Sequence, residues 1–384
     1  DVQVPPTGAN GACYMSGNQA AGLGALEAGV RFVAAYPITP ASDVLEWMAG
    51  ALEQVGGQLL QAEDELAAIN MTIGAAFGGV PAFTATSGPG LALMTESIGL
   101  AVASETPVTI LNVMRGGPST GIPTKSEQSD LNIALNGLHG DAPHLVLAPL
   151  DIADCVFTTG WAVQLAQQLQ TAAIVLSDQF IGQSTAIVSE PRRCAGTASA
   201  LALPAEGDYL RYKLTSSGVS TLASPGDADH RFTADGLEHN EKGTPSARHS
   251  DHQQQLAKRQ GKLDAFDFGD DWAEVSGDGP LGLVCFGSSS AAVKEAAGIL
   301  AQRGVATRVI SLRLLAPLQT QALGAALEAC SELVVVEQNH SAQLFHYLKG
   351  HVNFSQSVHS YAMAGPVPLG PEAIAMAVNE VTSP

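Results

Sequence analysis

Short runs of uninterrupted apolar residues alternate with helix-length stretches along most of this chain, and that rhythm limits its fold more than any other feature. Pro107-Val108-Thr109-Ile110-Leu111-Asn112-Val113 and Ala173-Ile174-Val175-Leu176 are apolar almost throughout. Strands of this kind are buried on both sides, as happens when helices cover both faces of a parallel sheet. Strands are expected near 31–35, 58–61, 81–85, 107–113, 144–147 and 173–177, with helices over 18–28, 41–54, 65–77, 91–103 and 152–169. The rhythm returns with a strand at 281–286, a helix at 291–302, a strand at 307–310, a helix at 320–329, a strand at 333–336 and a helix at 341–348. The expected class is α/β, with a parallel-sheet domain at 13–180 and a smaller α/β domain at 276–384.

Residues 1–12, with Pro5-Pro6-Thr7-Gly8, read as a linker. Residues 181–275 break the alternation with polar, Gly- and Pro-punctuated sequence and one expected helix at 251–263. A connection of that length is functional, interfacial or an extended linker.

The chain carries 37 acidic and 18 basic residues, a formal charge of −19. Such a surface repels phosphate backbones and anionic lipid, which argues against nucleic-acid and membrane partners. It repels acidic small molecules too, unless a few cations are focused in a pocket. Cys13, Cys155, Cys194, Cys285 and Cys330 are scattered, with no C-x-x-C and no run suited to zinc or an iron–sulfur cluster. Reduced thiols are expected, and no metal site in this chain. No window offers the roughly 18 apolar residues a membrane span needs, and the polar N-terminus lacks a signal-peptide pattern. A cytoplasmic location is expected.

Four strand-to-helix junctions gather the residues with chemical potential. In Tyr36-Pro37-Ile38-Thr39-Pro40 two prolines stiffen the turn, with Thr39 expected as N-cap and Pro40 as the first helical residue. Gln61-Ala62-Glu63-Asp64-Glu65 places acids in a first helical turn, where the macrodipole favours them. Glu65 enters an Ala- and Gly-rich helix that packs closely, so its carboxylate can be dry. Thr86-Ser87-Gly88-Pro89-Gly90 lets backbone approach a ligand and frees helix-start N–H groups. Arg115 leaves the end of a buried strand, opening a loop with no other charge until Lys125. An arginine there is placed to grip a carboxylate through two parallel hydrogen bonds. His230, His239, His249 and His252 lack partners in metal-binding register and read as solvated. Gly277-Asp278-Gly279 reads as a plain turn, because no Asn follows until Asn339 to complete a diphosphate–magnesium motif.

Taken in order, these junctions resemble the α subunit of 2-oxoacid:ferredoxin oxidoreductases, most closely the 2-oxoglutarate-using branch. The resemblance extends through Pro123-Thr124-Lys125-Ser126-Glu127-Gln128-Ser129-Asp130-Leu131, Gly236-Leu237-Glu238-His239 and Val336-Glu337-Gln338-Asn339-His340. It implies a pyrimidine-type thiamine-diphosphate domain followed by a transketolase C-terminal-like domain. It implies a cofactor shared between subunits, with the diphosphate, Mg2+ and a 4Fe–4S cluster in a partner β chain. A γ domain or subunit, ferredoxin, coenzyme A as cosubstrate and an (αβ)2 assembly are further implications.

The implied reaction is oxidative decarboxylation of 2-oxoglutarate to succinyl-CoA and CO2, or its reverse. Glu65 is the implied partner of the pyrimidine N1′, where a shared proton favours the 4′-imino tautomer. Tyr36, Pro37, Ile38, Ser87 and Gly88 are the implied cofactor contacts, and Thr39 and Arg115 the residues that hold the substrate's 1-carboxylate and oxo group. Lys125 is inferred to meet the distal carboxylate of 2-oxoglutarate. Pyruvate or branched-chain 2-oxoacids are the alternative substrates, and a non-catalytic assembly subunit the alternative of another class.

Overall fold

The computed structural model describes residues 12–197, 199–202 and 209–382. The chain opens with β1 (Ala12–Ser16), α1 (Gly17–Glu27), β2 (Phe32–Ala35), α2 (Ser42–Gln54), β3 (Gln58–Gln61), α3 (Glu65–Phe77), β4 (Ala82–Thr86), α4 (Gly88–Ala103) and β5 (Val108–Met114). It continues through α5 (Leu131–Asn136), β6 (Leu145–Leu147), α6 (Asp154–Leu169), β7 (Ala172–Asp178), α7 (Gln179–Gln183), β8 (Thr185–Ser189) and α8 (His249–Asp264). The remainder is β9 (Ala273–Ser276), β10 (Leu281–Phe286), α9 (Ser289–Gln302), β11 (Thr307–Leu312), β12 (Leu314–Ala316), α10 (Thr320–Leu327), β13 (Glu332–Glu337), α11 (Gln343–His351), β14 (Ser357–Ala362) and α12 (Pro371–Thr382).

Seven strands form the larger sheet in the order β12-β6-β7-β5-β4-β2-β3, all parallel except β12. β5 and β7 are buried at every residue and pair from Val108 opposite Ala172 to Met114 opposite Asp178. That is the two-sided burial their apolar sequences call for. The smaller sheet runs β14-β13-β10-β11-β9, with only β9 antiparallel. Residues of both sheets share one hydrophobic core, including Ile174 and Leu176 from one and Val284, Phe286 and Ile310 from the other.

Three features depart from the sequence reading. Ala12 begins β1, which pairs antiparallel with β8, so the expected linker is confined to residues 1–11, outside the described residues. β12 follows β11 closely but crosses to the larger sheet, pairing Leu314 with Leu147. Part of the polar region after β8 packs its charges into the larger unit: Glu105, fully buried after α4, receives Lys258 Nζ and, at 3.1 Å, Lys262 Nζ. Arg211, 1% exposed, donates to the Glu105 carbonyl at 2.8 Å and lies over the Tyr212 ring. Charged side chains can be buried when they satisfy one another, and hydropathy alone reads such sequence as exposed.

Of the histidines expected to be solvated, His249 is exposed, while the other three have partners. His239 is 2% exposed and stacks 3.8 Å from the Tyr212 ring, with burial pushing its pKa down. His252 and Arg259 both bind Glu238, and His230 pairs with Asp227. Among the described residues no His, Cys, Asp or Glu cluster could hold a metal ion, and no helix is long and apolar enough to cross a membrane.

Candidate active site

β3, β2, β4 and β5 are neighbours in that order and run in the same direction. Their carboxyl ends therefore set the four junctions side by side along one edge of the sheet. The chain steps outward from β2 to β3 and then crosses back to β4, which makes this the switch point where open parallel sheets hold ligands.

Glu65 is the first residue of α3, behind an Asp64 N-cap whose side chain accepts Ala67 N–H at 2.7 Å. Its side chain is 7% exposed, and among the described residues no donor reaches its carboxylate. Gly90 lies against it: a Cβ there would sit 2.9 Å from Glu65 Oε1 and 2.1 Å from Thr86 Oγ1, so no larger residue fits. Ser87 precedes α4 as N-cap, but its hydroxyl is fully buried and unbonded.

Thr39 is exposed in the neighbouring turn, and it does not cap α2 as expected. The Ile38 carbonyl accepts the amides of Ala41 at 2.8 Å and Ser42 at 3.1 Å. That turn takes up the residues after Pro40, so Ala41 becomes the N-cap and the helix begins at Ser42. The Thr39 backbone carbonyl instead accepts Arg115 Nη1 at 2.7 Å, joining residues 76 positions apart. Arg115 Nε is buried without a partner.

Lys125 is exposed at the far end of the loop, its carbonyl accepting Gly116 N–H at 2.9 Å to close the loop's base. The loop is also pinned to the smaller sheet. Gln128 donates through Nε2 to the Phe286 carbonyl at 2.8 Å and accepts Gln338 N–H at Oε1 at 2.9 Å. Glu337 underpins Gln338 and Asn339, its buried carboxylate accepting Asn339 Nδ2 and the amides of Leu344 and Phe345. Burial still pushes its pKa up despite those donors.

Sequence reasoning gave no role to Asn112 and Asp130. Asn112 Nδ2 donates to Asp130 Oδ2 at 2.9 Å, beside the α4 start. Burial pushes the Asp130 carboxyl up to about 6; Glu127 adds to the rise, while the Asn112 bond and Arg115 oppose it. A lone Asn within an otherwise apolar strand was the one local signal available.

The family model described as "Pyruvate flavodoxin/ferredoxin oxidoreductase, thiamine diP-bdg" matches residues 23–258, and the transketolase C-terminal domain matches residues 273–366. The 2-oxoglutarate synthase subunit KorA of Archaeoglobus fulgidus is 37% identical over 325 residues, covering 85% of this chain and 87% of that protein. The chain belongs to the 2-oxoacid:ferredoxin oxidoreductase family, as its α-type subunit. Another member, the α subunit of Saccharolobus solfataricus 2-oxoacid:ferredoxin oxidoreductase, is 34% identical over 87% of this chain and 56% of its own length. The solved 2-oxoglutarate:ferredoxin oxidoreductase from Magnetococcus marinus, with 2-oxoglutarate, coenzyme A and succinyl-CoA bound, matches with a TM-score of 0.90 and 38% identity. That match covers 96% of this chain, which spans 65% of the solved chain.

The residues present fit the family's cofactor. A carboxylate without a protein donor on a largely buried residue, facing a glycine and near an unbonded serine hydroxyl, suits a heteroaromatic ring that brings its own proton donor.

Proposed function

We propose that this chain is the subunit of a 2-oxoglutarate:ferredoxin oxidoreductase that contributes the pyrimidine half of a thiamine-diphosphate site. The reaction is coenzyme A-dependent decarboxylation of 2-oxoglutarate to succinyl-CoA and CO2 with reduction of ferredoxin, or the reverse. The observation that carries this reading is Arg115 held on the Thr39 carbonyl with its Nε buried and free, on the same sheet edge as the donorless Glu65 carboxylate.

Thiamine diphosphate, when bound, supplies the nucleophilic carbon and the electron sink for decarboxylation. Glu65 holds a proton between its carboxylate and the pyrimidine N1′, and Gly90 keeps that carboxylate in place. Tyr36, Pro37, Ile38, Ser87 and Gly88 would contact the cofactor. Arg115 binds the substrate's 1-carboxylate with its remaining N–H groups, while Thr39 orients the oxo group. Lys125, whose ammonium has no ion pair among the described residues, meets the distal carboxylate.

The other half of the site belongs to a β subunit with the diphosphate-bound Mg2+ and the 4Fe–4S cluster. The outward faces of α3 and α4 favour such a docking. After Glu65, α3 has no charged residue; α4 has only Glu96, and Leu66 and Leu93 are about half exposed. On a chain of charge −19 this sparsely charged face, with its exposed leucines, stands out as a place for another subunit.

Replacing Glu65 by Gln in the assembled complex tests the reading. Decarboxylation is expected to fall at least a hundredfold, about 2.7 kcal/mol in barrier, with assembly intact. Unchanged turnover would instead favour a scaffold subunit. Lys125→Ala tests the substrate: a selective rise in KM for 2-oxoglutarate supports its role, and an equal effect on pyruvate removes it.

A further inference from the structure

Asn18, the second residue of α1, is 1% exposed and reaches out of its own helix: Nδ2 donates to the Pro40 carbonyl at 2.8 Å. Pro40 is buried and lacks an N–H, so this carbonyl is the one backbone group it has to satisfy. The bond completes a series. The Ile38 carbonyl accepts the Ala41 and Ser42 amides, the Thr39 carbonyl accepts Arg115 Nη1, and the Pro40 carbonyl accepts Asn18. Arg115 grips the turn at its exposed residue and Asn18 at its buried one. A carbonyl only accepts, so the amide turns Nδ2 to Pro40 and Oδ1 away. Among the described residues Oδ1 has no hydrogen-bond partner; it lies against α7, where a Cβ on Gly182 would sit 2.6 Å from it. The same short helix supports the other side of the Arg115–Thr39 bond. Phe180 of α7 donates its amide to Ser126 Oγ at 3.2 Å, in the loop that Arg115 opens. α7 leaves the sheet at Asp178, which stands opposite Met114, the residue before Arg115. Turn and loop therefore rest on one support.

We propose that Asn18 is a positioning residue that fixes the Thr39 carbonyl, and through it the direction in which Arg115 presents its remaining N–H groups to a 2-oxoacid. The proposal rests on Arg115 and Thr39 as the residues that hold the substrate. Asn18 acts only through the turn. Its amide keeps the Pro40 carbonyl bonded, and the guanidinium stays aimed. Without a donor there, the buried carbonyl turns toward another partner, and the Thr39 carbonyl one residue earlier turns with it.

The test measures KM for 2-oxoglutarate on the assembled holoenzyme, at saturating thiamine diphosphate, in Asn18→Leu, Arg115→Ala and the double variant. Leu keeps the branching and nearly the volume of Asn but has no donor. Asn18→Leu is expected to raise KM about tenfold, with kcat within about threefold of normal. In the Arg115→Ala background the same change is expected to add less than about twofold, because the group it aims is gone. An unchanged KM in Asn18→Leu, or an effect that multiplies that of Arg115→Ala in full, is what a merely structural side chain would give, and overturns the proposal. Gly182→Ala approaches the bond from the other side, since its methyl pushes the amide off Pro40, and is expected to raise KM about threefold or more. Should Asn18→Leu fail to assemble, an unchanged KM in Gly182→Ala overturns the proposal instead. A raised KM in Arg115→Ala beside a normal one in Asn18→Leu removes the role of Asn18 alone. A normal KM in Arg115→Ala removes the substrate cation itself, and the proposal with it.

Discussion

Glu105 occupies a position where burial alone drives a carboxyl's pKa upward. The surrounding cations more than offset this: Lys262, Lys258 and Arg211 together hold it down to about 2. Lys262 moves the other way, pushed down to about 8, because burial costs the ammonium more than its shared counter-charge returns. The folded-state pKa of Glu105 lies below its ordinary 4.5, so its contribution to stability is fully present above that pH and is lost as the pH falls toward 2. Glu105→Gln leaves two ammonium groups buried without a counter-charge, and is expected to cost about 3–5 kcal/mol. Chemical unfolding at pH 7 checks the size. The gap from the unaltered protein should narrow as the pH is lowered below 4.5, and equal stability at pH 7 would contradict the argument. None of this was legible in sequence. Glu105 looks like an ordinary acid after a helix, and Lys258 is 153 positions away, with nothing local to pair them.

At the scale of elements, the four junctions were legible because their signals are local: an apolar strand end, a proline or glycine, then a helical pattern. That they would lie side by side followed only from strand order, which sequence does not specify. The Thr39 cap was misplaced because a second turn, closed on Ile38, intervenes before the helix. Asp130 was invisible for a related reason, since its residue type suits an N-cap while its side chain serves another element. Gly90 offers the sharpest test of how closely α3 and α4 fit. Gly90→Ala forces a methyl into Glu65 and Thr86, at a cost of about 1–3 kcal/mol for overpacking. Turnover is expected to fall at least tenfold, with less thiamine diphosphate retained by the assembled complex. Gly298→Ala is the control: nothing lies near a Cβ there on α9, so it should add about 0.5–1 kcal/mol of helix stability and leave turnover unchanged.

Over the whole molecule, the alternation of apolar strands and helices gave two α/β units correctly, yet it understated how firmly they are joined. The three-residue β12 is too short to carry a periodic signal, and its partner β6 lies more than 160 positions earlier. Arg313, between β11 and β12, carries much of the junction. Its Nε and Nη2 meet the Asp154 carboxylate at 3.0–3.1 Å, and Nη1 donates to the Asp271 carbonyl at 2.8 Å. The Arg313 backbone carbonyl accepts Ala148 N–H at 2.8 Å, so backbone and side chain both tie the halves together. Asp154 also accepts Leu150 N–H and the Thr158 hydroxyl, each at 2.9 Å, which holds it in place if the arginine is lost. Arg313→Ala therefore strands a largely buried carboxylate and is expected to cost about 3–5 kcal/mol. Calorimetry should show a single transition for the unaltered chain, because one hydrophobic core serves both sheets. In the variant that transition should fall by roughly 5 °C or more and separate into two steps. A single transition at the unaltered temperature would mean that the shared core alone couples the halves, and that the Gln128 contacts are enough to hold the active-site loop on the smaller sheet.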